Sequence, residues 1–349
     1  MLYLVVGGFY GDEGKGKIVG YLSVKDNFDI AVRAGGGPQA GHTVSDGMFV
    51  CQIPSGFINK NSRLLISRGT KIYPKKVLEE MEKYDADFSV KKRIGIDYGC
   101  TIIEDKHIEQ EKEAMGRIGS VGSGAGYAMA DRALRKAKLA KDIEELRPYM
   151  TDVAEEVNNN LKDKKVIIEG VQGYGLSLLD HRFYPYVTSQ DTTASQFLAD
   201  VGVGPKAVDE IIVVYKSYVS CVGKRPLKNE WTLDQMKEFG ITEHGTISGR
   251  QRRLALFDPI LAKESMLRNT GTQAALTNID RMEYFFGDNS GVSDYYKLTK
   301  EASGFVIALN KYLENEYSSG VTLISTGPNL DDMVDLRSTV HYQKKKTVF

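Results

Sequence analysis

The chain lacks an excess of charge of either sign: 46 Lys and Arg balance 46 Asp and Glu across 349 residues. That balance removes the electrostatic footprint of a nucleic-acid or membrane-surface binder, so any anion it holds must be met by local positive sites. Cysteine is scarce. Cys51, Cys100 and Cys221 are far apart and show no metal-ligand spacing, which predicts reduced thiols in a cytoplasm rather than a disulfide frame or a zinc site. Long apolar runs are missing too, since residues 2–6 are far too few for a signal-peptide core or a membrane span. No Pro/Ser-rich linker, low-complexity tract or fixed-period repeat divides the chain. With 42% hydrophobic content, residues 1–349 are expected to form one large domain with insertions.

What is present is glycine in two chemically loaded clusters. Gly7-Gly8-Phe9-Tyr10-Gly11-Asp12-Glu13-Gly14-Lys15-Gly16-Lys17 follows an apolar run directly, the order of strand, loop and basic residue that builds a phosphate cradle. An ordinary phosphate loop carries no acid in its middle. Asp12 would repel a bare phosphate unless a divalent cation sits between them or the carboxylate works as a base on a neighbouring substrate. The common Walker spacing is not met, because Phe9 stands where the first glycine belongs and Gly16 where Ser or Thr is expected. Alone, the cluster also reads as a glycine turn between strand and helix. The second cluster, Ala34-Gly35-Gly36-Gly37-Pro38-Gln39-Ala40-Gly41-His42-Thr43-Val44, adds a histidine to another loop after a β-branched run. Packing does not explain two such loops so close together.

β-branched runs at residues 2–6, 30–33, 64–66, 166–168, 211–214, 274–277 and 321–324 predict strands. Helical patterns at residues 74–83, 131–156 and 300–316 lie between them. The alternation predicts an α/β fold with a mainly parallel central sheet and helices on both faces. Ligands are expected beyond the carboxyl ends of the strands, where both glycine loops, Gln172, Asp280 and Gly327 fall.

GDEGKGK followed by AGHTV resembles the adenylosuccinate synthetase family. The resemblance continues through Glu169-Gly170-Val171-Gln172-Gly173, Tyr184 to Ser189 with Thr192-Thr193-Ala194, Gly202-Val203-Gly204-Pro205, Ser248 to Arg253 and Ser325-Thr326-Gly327-Pro328 in the family's order. It covers nearly the whole chain in the shorter, archaeal-type form. It implies a P-loop-NTPase-like core with inserted loops and small subdomains, and a Mg2+-assisted, GTP-dependent joining of IMP and L-aspartate in purine biosynthesis. It also implies a homodimer.

By that resemblance Asp12 is the base on the purine N1, His42 the general acid, and Asp12 with the Gly41 carbonyl the magnesium ligands. The IMP half is expected to use Asp12, Glu13, Gly14, Lys15, Gln39, Ala40, Gly41, His42, Val121, Gln172, Thr188 and Arg250, with Arg135 reaching across from the partner. The GTP half is expected to use residues 11–17 from Gly11 to Lys17 (Gly16 included), Gly41, His42, Thr43, Arg252, Asn278, Ile279, Asp280, Ser325, Thr326 and Gly327. Asp280 is the guanine selector, since a carboxylate accepts from both N1–H and the 2-amino group. Thr246, Ile247, Ser248, Gly249, Arg250, Gln251 and Arg252 resemble the loop that closes over aspartate, its arginines able to grip carboxylates bidentately.

The chain departs from the family pattern in places. Gln39 replaces an Asn, Val121 a Thr, Ile247 a Thr, and Asn278 a Lys. Phage-associated relatives that use dGMP often carry Ser at the position of Asp12, so the retained acid favours IMP. A GMP- or dGMP-using ligase and a non-catalytic guanine-nucleotide sensor remain as alternatives.

Overall fold

A computed structural model describes residues 1–114, 118–245, 249–314, 318 and 320–338. Its framework is a ten-stranded sheet built from β1 (Leu2–Gly7), β2 (Ile30–Arg33), β3 (Arg63–Ile66), β4 (Ile94–Asp97), β5 (Met150–Thr151), β6 (Val166–Glu169), β7 (Glu210–Lys216), β8 (Gln273–Thr277), β9 (Val321–Ser325) and β10 (Met333–Asp335). Across the sheet the order is β10-β9-β8-β7-β1-β6-β2-β3-β4-β5. Every neighbouring pair is parallel except β9 with the short edge strand β10. On one side of β1 the strands β7 to β10 follow outward in order; on the other β6 lies between β1 and β2, and β3 to β5 follow outward.

The strands read as continuous apolar runs because both faces are covered. Leu2, Leu4 and Val6 of β1 join one core with Val32, Ile168 and Val213, while Val5 joins the other with Ala31, Ile167 and Ile212. The side-chain period of two thus splits one strand between two cores. Helix α1 (Lys15–Lys25) places Ile18, Val19 and Leu22 on the second core. Helices α2 (Ala194–Val201), α3 (Pro259–Arg268) and α4 (Lys300–Leu313) pack Phe197, Met266 and Val306 on the first. A separate cluster of Tyr218, Trp231, Met236, Ile241, Leu254 and Met282 supports a small unit around the antiparallel ribbon Val219–Cys221 with Arg253–Ala255. No helix among the described residues is long and apolar enough to cross a membrane.

The expected strands lie in this sheet, most of them lengthened by one or two residues. The helix expected over residues 131–156 is not there. A helix at Ala125–Ala133 ends in Leu134 and a left-handed Arg135 (φ 61°), two 3-10 turns follow, and Met150–Thr151 pairs with β4 before Asp152 caps a helix at Val153–Asn160. Pro148, without an N–H, interrupts any helix there, and burial of Ala140 and Leu146 outweighs the helical propensity of the surrounding Lys, Glu and Ala. The helix at Pro74–Phe88 runs beyond its predicted end. Residues 315 and 316 of the pattern at 300–316 lie outside the described residues.

Candidate functional site

Beyond the carboxyl ends of the strands lies a cavity of about 1230 Å³. Its lining includes Gly11, Asp12, Gln39, Ala40, Gly41, His42, Val121, Gln172 and Thr188. Asn278, Asp280, Ser325 and Gly327 line the same cavity. Gly14, Lys15, Gly16, Lys17, Thr43 and Arg252 lie along it as well.

The first glycine loop shapes itself around its own acid. Glu13 is fully buried; its carboxylate accepts from Phe9 N–H at 3.0 Å and Gly11 N–H at 2.8 Å and pairs with Lys15 Nζ at 2.6 Å. It therefore sits behind the loop rather than in the cavity. Gly14 begins α1 in a left-handed conformation with no side-chain cap, so the first N–H groups of the helix remain for an anion. Gly16 explains the departure from Walker spacing: a Cβ there would lie 2.7 Å from the Thr43 carbonyl oxygen and 2.8 Å from His42 Cβ. The second loop rests directly on α1 at the place where a side chain would lift it away.

Lys17 is not free for phosphate. Its Nζ donates to Ser325 Oγ at 2.8 Å and to the carbonyls of Gly327 and Asp332 at 2.6 and 2.9 Å, binding α1 to the 325–332 loop. Burial pulls this amine down to about 8, against the opposing charge of Asp332.

His42 is 7% exposed and held from behind. Its Nδ1 bonds to Glu169 Oε1, and Arg33 Nη1 approaches the same nitrogen at 2.6 Å and the carboxylate at 3.2 Å. Glu169 accepts further from Ser55 N–H at 2.7 Å and Ser55 Oγ–H at 2.5 Å. Arg33 is always a donor and the carboxylate always an acceptor. The arrangement is therefore satisfied when Nδ1–H donates to Glu169 and Arg33 donates to the carboxylate and to the Ala40 and Cys51 carbonyls. Nε2 is then the nitrogen left for the cavity. Burial first, then the Arg33 charge, holds the imidazole down to about 3; burial raises Glu169, but the His42 and Arg33 contacts outweigh it and keep the carboxylate low.

Asp12 occupies a left-handed position (φ 62°) and accepts from Arg252 Nη2 at 2.8 Å. Arg252 Nη1 reaches Glu243 at 3.2 Å, and Glu243 is itself paired with Lys216 at 2.5 Å and bonded by the Tyr218 hydroxyl. Arg252 Nε is buried with no partner among the described residues. Gln172 (φ 58°) places Nε2 2.6 Å from Thr188 Oγ1, leaving Oε1 buried and unpartnered. Exchanging the amide's O and N satisfies the pair equally well and puts the NH₂ group where Oε1 lies. Gln39 Oε1 accepts from Ser123 Oγ at 3.2 Å. Burial raises the Asp280 carboxyl above its usual range.

Other predicted residues stand apart. Ile279 is core, and the Thr326 hydroxyl donates to the Val292 carbonyl at 2.7 Å. Arg135, Gly249, Arg250 and Gln251 are exposed and outside the cavity's lining; Arg250 Nη1 donates to the Gly119 and Ser120 carbonyls at 3.1 and 3.2 Å. Thr246, Ile247 and Ser248 lie outside the described residues. Sequence reasoning assigned no role to Glu169, Arg33, Glu243 or Lys216. Three of them had the signal of a charge closing an apolar run: Glu169 closes Val-Ile-Ile and also opens the Glu169–Gly173 motif, Arg33 closes Ile-Ala-Val and Lys216 closes Ile-Ile-Val-Val-Tyr, whereas Glu243 had none.

The adenylosuccinate synthetase family model matches residues 4–145 and 137–287. An adenylosuccinate synthetase of Thermococcus sibiricus is 44% identical over 345 residues, covering 97% of this chain and 99% of the relative. One of Methanocaldococcus jannaschii is 46% identical over 342 residues, 96% of each chain. Among solved structures, fully ligated adenylosuccinate synthetase of Plasmodium falciparum superposes with a TM-score of 0.86 at 24% identity, over 95% of this chain and 99% of that one. Cyanophage S-2L succinoaminodeoxyadenylate synthetase, bound to dGMP and dATP, superposes with a TM-score of 0.76 at 22% identity, over 96% and 95%. At these identities the structures share the fold.

Proposed function

The chain belongs to the adenylosuccinate synthetase family, whose members are GTP-using ligases of purine biosynthesis, and we propose that the residues lining its cavity join IMP to L-aspartate. The observation that carries this reading is the shared cavity: Asp12, His42, Gln172 and Thr188 line the same space as Asp280 and Ser325. An acceptor purine at the first four and a guanine at the last two would meet across the N-terminus of α1.

Asp12 takes the N1 proton of the hypoxanthine, and the negative charge passes to O6. O6 attacks the γ-phosphorus of GTP, the bond to the β-phosphate oxygen breaks, and GDP leaves. The aspartate amine then adds at C6 and phosphate departs. His42 Nε2 serves at O6 and the transferring phosphoryl group, where negative charge favours the imidazolium and Glu169, behind Nδ1, stabilises it. Arg33 keeps Glu169 ionised in a dry site. Gln172, in its exchanged orientation, donates to O6. Arg252 holds only Oδ1 of Asp12, which leaves the carboxylate's other oxygen to act, and its unpartnered Nε suits a second position against phosphate.

The residues fit a magnesium ion. Among the described residues no group of three or more His, Cys, Asp or Glu could hold a metal by itself. The Asp12 carboxylate and Gly41 carbonyl, both at the cavity wall, are hard oxygen donors of the kind Mg2+ takes alongside nucleotide phosphates and water. When bound, the ion neutralises phosphate charge. Arg135, exposed and outside the lining, suits service to a partner's nucleotide in a homodimer.

Purified protein with GTP and L-aspartate, offered IMP, GMP or dGMP in turn, tests the reading. Turnover of IMP to adenylosuccinate supports it; turnover of dGMP or GMP with none of IMP, or none of any acceptor, overturns it.

A further inference from the structure

Arg225 stands at a junction that the mechanism above leaves unused. Its side chain is 1% exposed yet lines the cavity, and its partners come from separate segments. Nη1 donates to the Gly175 carbonyl at 2.7 Å and Nη2 to the Tyr186 carbonyl. The guanidinium lies 4.2 Å from the centre of the Tyr10 ring and 5.0 Å from that of Phe183, two rings that meet edge to face at 5.5 Å.

A guanidinium this deeply buried ordinarily pairs with a carboxylate. Among the described residues Arg225 forms no ion pair, and Asp180, whose charge acts on it, is held by Arg182 at 2.6 Å. Carbonyl dipoles and ring faces satisfy its geometry without cancelling its charge. Uncancelled charge in a poorly solvated wall attracts an anion more strongly than the same charge in water.

The contacts also bear on the acceptor half. Thr188 N–H donates to the Leu176 carbonyl at 2.8 Å, so residues 175–188 form a folded-back segment whose two sides Arg225 grips at Gly175 and Tyr186. Tyr10, stacked on the guanidinium, stands two residues before Asp12. We propose that Arg225 is a positioning and specificity residue for the acceptor nucleotide. It sets Thr188 against the Asp12 loop, and its charge draws an anionic purine mononucleotide to that part of the cavity. The proposal rests on the assignment of Gln172 and Thr188 to the acceptor. Lysine at this position keeps the charge but cannot span both carbonyls with one nitrogen; methionine does neither.

The test compares R225K and R225M with the unmodified protein in KM for IMP and GTP, and in the binding of each nucleotide by calorimetry. IMP constants are expected to rise at least about tenfold in R225M and about threefold in R225K, with GTP constants within about twofold in both. IMP constants unchanged in R225K, or IMP and GTP constants rising together, overturn the proposal; should R225M fail to fold, R225K decides. If the unmodified protein binds dGMP and not IMP, the acceptor assigned above is wrong, and the same comparison made with dGMP decides Arg225.

Discussion

Replacing Gly16 with alanine probes the close seating of the second glycine loop on α1. The added methyl lies 2.7 Å from the Thr43 carbonyl oxygen, 2.8 Å from His42 Cβ and 3.1 Å from Ser55 Oγ. The first two are backbone or Cβ atoms that no side-chain rotation removes, so the 42–43 segment must shift off the helix. Alanine favours a helix over glycine by about 0.5–1 kcal/mol, whereas overpacking costs about 1–3 kcal/mol. Gly304 supplies the control: it is exposed within α4 and a Cβ there meets nothing within 4 Å. Gly304→Ala should therefore stabilise by about 0.5–1 kcal/mol with turnover unchanged. Gly16→Ala should lose that gain and end about 0–2.5 kcal/mol below the unmodified protein. Because a misplacement of 1 Å can cost about a hundredfold in rate, a shift of a few tenths of an ångström at His42 should lower turnover at least about fivefold. Urea unfolding midpoints and the IMP-dependent rate, measured on both variants, report the two effects separately. Gly16→Ala as stable as Gly304→Ala and within twofold of normal turnover would refute the close approach as a constraint on His42.

Three further outcomes are expected. Asp12→Asn and His42→Asn should each lower turnover by at least about a hundredfold with the circular dichroism of the fold retained, and near-normal turnover in either would unseat its role. GTP should support the reaction far better than ATP, and Asp280→Asn should erode that preference in side-by-side kcat/KM measurements; equal use of the two nucleotides by the unmodified protein counts against the guanine pocket. Mixing Arg135→Ala protein with Asp12→Asn protein should restore activity that neither parent shows, since a hybrid site then combines both intact residues, and no recovery after verified subunit exchange would reduce Arg135 to a solvated turn residue.

Local chemistry was enough to place the loops that line the cavity. Apolar β-branched runs located the strands from β1 to β9 that carry the two glycine loops, Gln172, Asp280 and Gly327, and the rule that ligands gather past the carboxyl ends of parallel strands put these at one end of the sheet. The strands β5 and β10 were not legible because two or three residues carry too little periodicity to register, and β4 was not because Gly95 breaks the apolar run of Ile-Gly-Ile-Asp. The helix read over residues 131–156 failed where composition pointed one way and burial the other.

What the chain determined alone was which residue types stand where on each element, because strand alternation and glycine's conformational freedom act over a few residues. What only tertiary structure decided was which charges meet. His42 finds Glu169 across 127 positions, Lys17 finds Ser325 across 308, and Arg252 finds Asp12 across 240. A spacing pattern read along the chain sees none of these: they seat His42 against Glu169, tie Lys17 to the 325–332 loop and set Arg252 on Asp12. In a low-dielectric interior a charge settles against whatever partner folding brings within hydrogen-bonding reach, and that partner is set by the order of strands in the sheet rather than by neighbours in sequence.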